Sequence, residues 1–210
     1  MFFRRGKEKL IWSIALFFLF TLIPQWTIAA APSPTAVIQS GTDRALKILR
    51  SSRAGESPAL RQRRGEILTI VDEYFNFEEM AKRALGRPWK DQPDNKRKEF
   101  VGLFRQLLFN TYISRVESYT GANEQISYDS EKIDGDYAVV KTRVITSDRQ
   151  TYQIEYRLRQ EGEQWRVYDV IVEGVSFVEN YRSQFASILA NESFDSLLKK
   201  LRDKVNATNS

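Results

Sequence analysis

From about residue 125 the apolar period of this chain changes from helical to two, and that change limits the folds open to it. Four period-two runs, near 125–133, 136–146, 150–160 and 164–173, follow one another with almost no chain between them. The joints are Asp134-Gly135, Ser147-Asp148-Arg149 and Glu161-Gly162-Glu163. Connections this short, built on Gly and Asp, are hairpin turns, so consecutive runs must pair antiparallel as a meander. In the third run Tyr152, Ile154, Tyr156 and Leu158 share one face, and Gln153, Glu155, Arg157 and Arg159 share the other. One face of the sheet is therefore wet, and the other needs a cover.

The rest of the chain supplies helices for that cover. After a linker, APSPT, Val37, Ala45, Ile48 and Leu49 mark a helix over 37–53. Ser57-Pro58 starts a second helix, with Ile67, Leu68, Val71 and Tyr74 as its stripe. Asn76 with Glu79 three residues on reads as a capping box, and Gly86 as a stop. Pro93 begins the longest helix, to about Tyr119. Its stripe of Phe100, Phe104, Leu107, Leu108, Tyr112 and Val116 implies a wide buried face. Beyond the meander, Gly174 permits a sharp turn and Ser176 with Glu179 forms a second capping box. The helix carrying Phe177, Tyr181, Phe185 and Leu189 is then expected to fold back over the sheet's apolar face. Phe194, Leu197, Leu198, Leu201 and Val205 make a last helix. The expected fold class is α+β: a four-stranded antiparallel meander covered by helices.

Residues 1–30 read as a cleaved secretory signal. MFFRRGKEK is a basic opening, LIWSIALFFLFTLI an apolar run of 14 residues, and TIAAAP a small-residue site for cleavage after Ala29 or Ala30. Such a run is shorter than the roughly 18 residues that span a bilayer. The first nine residues carry +3 of the formal +5, which leaves +2 for the mature chain. So small a charge argues against nucleic acid as a partner. The chain has no cysteine, which excludes disulfides and thiolate sites, and no histidine, which removes the usual general base and metal ligand. No metal-ligand spacing and no phosphate-cradling glycine loop is present.

Some residues invite a functional reading. Asp169 lies inside an apolar strand run. It either faces a dry pocket as a base with a raised pKa, or accepts hydrogen bonds in a structural role, which is the reading we favour. Glu78-Glu79 stands at a helix start, where the helix dipole accounts for it. Arg61, Arg63 and Arg64, with Lys82 and Arg83, form a solvated helix face or a patch for anionic head groups. The aromatic residues, 12% of the chain, fit both a filled core and a lined cavity, since each puts apolar side chains inward.

Two segments carry a family resemblance. FNFEEMAKRALGRPW, residues 75–89, and DVIVEGVSFVENYRSQF, residues 169–185, resemble the two signatures of the periplasmic toluene-tolerance family, the MlaC-type phospholipid carriers. The order of elements agrees, and Lys82 and Phe177 are mild departures. The resemblance implies a nuclear-transport-factor-like (NTF2-like) cone with an added helical layer and an apolar cavity. It implies one lipid-binding domain over 31–210: mainly helical over 31–122, sheet over 123–174, helical over 175–210. The protein would be a soluble, monomeric periplasmic carrier and not an enzyme. It would need no cofactor, with phospholipid as cargo. Its partners would be an inner-membrane ABC transporter carrying an MCE-domain ring and an outer-membrane lipoprotein–porin complex. The inward residues expected to line the cavity are Phe104, Leu108 and Tyr112; Tyr152, Ile154, Tyr156 and Leu158; and Val167, Tyr181 and Phe185. Arg182 is expected to be structural. The alternatives are a hopanoid or other lipid as cargo, and a ketosteroid-isomerase-like enzyme using Asp169.

Overall fold

The computed structural model describes residues 31–51, 57–118 and 124–209. Ala31–Ser210 forms one compact unit. The expected export signal and its cleavage point lie outside the described residues, as does Tyr119.

Among the described residues six α-helices frame the sheet: α1 (Pro34–Ser51), α2 (Ser57–Tyr74), α3 (Phe77–Leu85), α4 (Asp94–Ser118), α5 (Phe177–Leu189) and α6 (Phe194–Asn209). A 3-10 turn, Arg87–Asp91, joins α3 to α4. The APSPT segment is not wholly a linker. Ser33 Oγ accepts from the Ala36 N–H at 3.2 Å, and Pro34 occupies the first helical position, where its missing N–H leaves nothing unpaired. Both expected caps form on one side only. Asn76 accepts from the Glu79 N–H at 2.8 Å, and Ser176 Oγ from the Glu179 N–H at 3.0 Å. The reciprocal bond is missing at Asn76, whose N–H donates to the Val167 carbonyl at 2.8 Å and ties α3 to the sheet.

The strands β1 (Gln125–Asp134), β2 (Tyr137–Ile145), β3 (Thr151–Glu161) and β4 (Gln164–Val172) make the meander. A fifth, β5 (Val175–Ser176), corrects the expected count of four. Glu173 at φ +50° and Gly174 at φ +80° form a tight left-handed turn that sends the chain back antiparallel along Ile171 and Val172 before α5 begins. The order is β1-β2-β3-β4-β5, antiparallel throughout. The outer edge of β4 is covered at one end by β5 and at the other by a bridge from Phe75 to Val167. Among the described residues no strand pairs with the outer edge of β1, which carries a bulge at Asp129 and charges at Glu131, Lys132 and Asp134, features that discourage pairing with another chain.

The apolar interior falls into three clusters. One joins α3, α4, α5 and α6 around Phe100, Phe104, Tyr181, Phe185 and Leu197. A second lies on the sheet, with Val140, Leu158 and Val167 against Ile38 of α1. A third joins α1, α2 and α4 through Leu49, Ile67 and Ile113. Helix α5 packs chiefly on α3, and Phe177 in its first turn reaches the sheet cluster. The expectation that α5 folds over the sheet is corrected to that extent: its stripe meets other helices first.

Candidate functional site

Where the three clusters fail to meet there is a cavity of about 900 Å³. Its walls follow from the elements around it. Tyr152, Ile154 and Tyr156 project from β3, and Val170 and Val172 from β4, because alternate residues of a strand face the same way. The register places Tyr156 opposite Val170 and Ile154 opposite Val172, so two strands present one continuous surface. Opposite them, α2 gives Ile67 and Val71, and α4 gives Leu108, Phe109, Tyr112 and Ile113. Phe75, just before α3, and Phe77 and Met80 in its first turn also border it, and Phe177 stands between β4 and α4. Polar and charged residues gather at one part of the lining: Arg115, Glu124, Thr146, Ser147 and Asp148. The cavity thus has apolar walls and a charged rim. Burial pushes the Tyr112 phenol above its ordinary pKa, with Tyr181 adding to the effect, so it stays neutral within the wall.

Of the ten residues expected to line a cavity, Leu108, Tyr112, Tyr152, Ile154 and Tyr156 do border this one. The other five lie in packed clusters. The Phe104 ring is 5.2 Å from Tyr181 and 5.6 Å from Phe185, edge-on, within the helical layer. Leu158 and Val167 lie where Ile38 already fills the sheet face, and neither has any exposed surface. Phe109, Ile113 and Phe77 border the cavity without having been expected to. Phe109 and Ile113 lie beside the apolar stripe of α4, and its width conceals that one side faces helices and the other the cavity. Val170 and Val172 were hidden by a bulge at Tyr168: strict alternation from inward Val167 puts them on the other face, and the extra residue brings them to the cavity.

Asp169 does not border the cavity. It is buried, pairs with Arg157 across the strands, accepts from the Ser176 hydroxyl at 2.7 Å and from the Val178 N–H at 3.1 Å, and so anchors the start of α5. The pocket-facing carboxylate that an isomerase-like reaction needs is not found at this residue. The basic clusters are largely paired. Arg64 donates twice to Glu117, each bond 2.9 Å, with Arg63 at 3.6 Å from the same carboxylate. Arg83 and Arg159 reach Glu79 at 2.7 and 3.2 Å. Arg182 stands beside Gly86 on the outer face of α5, 3.7 Å from Glu179, away from the cavity. Among the described residues no cluster of three or more acidic side chains could hold a metal, and no helix is long and apolar enough to cross a membrane.

Fold and cavity together define a class: an α+β domain with an open antiparallel meander, covered by helices that leave a large apolar hollow suited to a hydrocarbon ligand. The chain belongs to the MlaC family, whose model, described as MlaC protein, matches residues 39–203. It is 24% identical over 197 residues to the intermembrane phospholipid transport system binding protein MlaC of Haemophilus influenzae, covering 90% of each chain. It is 25% identical over 183 residues to the toluene tolerance protein ttg2D of Pseudomonas putida, covering 86% of this chain and 83% of that one. Its fold matches that of a phospholipid-binding protein from Ralstonia solanacearum, solved in complex with a phospholipid. The TM-score is 0.72 at 22% identity, over 87% of this chain and all of the other.

Proposed function

We propose that this protein is a periplasmic phospholipid carrier that takes acyl chains into the cavity and leaves the head group at the charged rim. The observation that carries this reading is the apolar hollow of about 900 Å³ bordered on one part by Arg115, Glu124 and Asp148. If a methylene is taken to fill about as much space as a water molecule, about 30 Å³, the cavity holds roughly 30 of them, the tails of one two-chain lipid. Exposing about 30 methylenes to water costs roughly 24 kcal/mol at about 0.8 kcal/mol each. Bare desorption from a bilayer is therefore very slow. Passing the same chains from bilayer to apolar cavity changes their solvation little, so loading and release stay nearly balanced and partners can set the direction. Such exchange needs no catalytic group and no cofactor.

The names of the relatives support the cargo and the compartment. On this reading the protein is exported through a cleaved signal, acts as a monomer over 31–210, and exchanges lipid with two membrane complexes. These are an inner-membrane ABC transporter carrying an MCE-domain ring and an outer-membrane lipoprotein–porin complex. The test is uptake from vesicles: delipidated protein is incubated with labelled phosphatidylethanolamine–phosphatidylglycerol vesicles and separated by size. About one lipid per protein is expected. Val170→Asp, which places a carboxylate in the wall, is expected to reduce uptake at least tenfold. No uptake by the native protein, or undiminished uptake by Val170→Asp, contradicts the proposal.

A further inference from the structure

We infer that the stacked pair Tyr112–Phe177 fixes the length of acyl chain the cavity accepts, acting as the partition that ends it on one side. The inference rests on the carrier reading and goes beyond it to a specificity-determining pair.

The two rings lie 4.0 Å apart and within 6° of parallel. Both border the cavity, and they belong to different parts of the interior: Tyr112 packs on the helical cluster, Phe177 on the sheet cluster. The stack therefore spans the seam between α4 and the β4–β5 edge. On its far side the Tyr181 hydroxyl lies 3.5 Å from that of Thr111, one residue before Tyr112, and Val178, one residue after Phe177, is buried among helices. Phe177 is also held firmly. It is the first residue of α5, directly after Ser176, whose side chain caps that helix and donates to Asp169. A ring fixed at its backbone and stacked face to face on its partner makes a rigid wall, whereas aliphatic lining such as Ile67, Val71 and Leu108 can repack around a chain. Along α4 the lining runs from buried Leu108 through Tyr112 to Arg115 and Val116, so the pair lies on the same wall as the charged residues and bounds the cavity between α4 and the sheet.

Phe177 is half-buried, and truncating its ring opens up to about 150 Å³, room for at most about five methylenes at about 30 Å³ each. Phe177→Ala is therefore expected to extend the cavity sideways and shift preference to longer tails. To test this, delipidated native, Phe177→Ala and Phe177→Leu proteins are equilibrated with vesicles of equimolar saturated phosphatidylcholines of graded chain length. Bound lipid is then identified by mass spectrometry. The Ala variant is expected to gain up to about five carbons, summed over the two chains, with the Leu variant shifted the same way by less. Ile133→Ser, on the exposed β1–β2 hairpin, should keep the native profile. Native profiles in both folded variants overturn the inference, as does reduced uptake with unchanged preference. If the Ala variant does not fold, an unshifted Leu variant suffices to overturn it. Failure of the native protein to take any lipid overturns the carrier reading and the inference together, which separates the two failures.

Discussion

At the scale of single residues, the same type of group serves different ends according to its neighbours. Asp169 is a buried carboxylate whose acceptors meet a hydroxyl and a backbone N–H at the start of α5. Replacing it with Ala leaves both donors unpaired. Because hydrogen bonds to a charged group contribute about 1.5–3 kcal/mol, Asp169→Ala should lower the unfolding free energy by about 2–3 kcal/mol in urea titrations. Asp169→Asn keeps one acceptor and should cost less. Neither change is expected to add or remove polar groups in the cavity wall. Glu117 responds to pH. The Arg64 guanidinium beside it, with Arg63 behind, holds its carboxyl below the usual range. The folded pKa lies below the unfolded one, so the unfolded chain binds more protons in acid. The resulting stability is fully present above the unfolded value, about 4.3, and is lost as pH falls through the folded value. The drop in melting temperature across that acidic window should be shallower in Glu117→Gln than in the native protein.

At the scale of elements, local chemistry is legible and pairing between elements less so. Helix α3 begins at Asn76 and stops at Gly86, which takes φ +69°, ψ −135°, a conformation open to glycine and hardly to others. An added Cβ would meet the Arg182 Nε at 3.7 Å, an ordinary contact, so the penalty there is conformational. Gly86→Ala is expected to destabilise by about 1–3 kcal/mol, measured by denaturant unfolding, with no change in the lipid bound. Caps, hairpin turns and strand alternation could be read from the sequence because each depends on a few adjacent residues. Helix α4 could not be oriented that way. It is apolar over so wide an arc that Phe104 and Leu108, both in its stripe, look equivalent in sequence. One meets Tyr181 and Phe185 in the helical layer, and the other borders the cavity. The two-residue strand β5 escaped notice because it depends on positive φ at Glu173, which side-chain type does not advertise.

At the scale of the whole molecule, three clusters around an unfilled centre replace one continuous core. Helical and strand periodicities show which side chains turn inward, and are silent on whether opposing walls touch. Leu158 and Tyr156 illustrate the difference. They are two residues apart on the same face of β3, yet one is fully buried in the cluster that includes Ile38 of α1 and the other borders the hollow. What separates them is which elements lie over each position, fixed only by the tertiary fold. A large apolar hollow has thermodynamic consequences. Lipid that binds the folded state alone stabilises it by about 2.7 kcal/mol at a hundredfold excess over Kd. Delipidation should therefore lower the melting temperature by roughly 5–10 °C, and reloading from vesicles should restore it, as followed by calorimetry.

The most direct test of the cavity as a lipid site is native mass spectrometry of the protein purified from the periplasm without detergent. A dominant species heavier than the bare chain by the mass of one phospholipid is expected, which yields two fatty acids on extraction and hydrolysis. A single species at the mass of the bare chain, still unloaded after incubation with phospholipid vesicles, would contradict it.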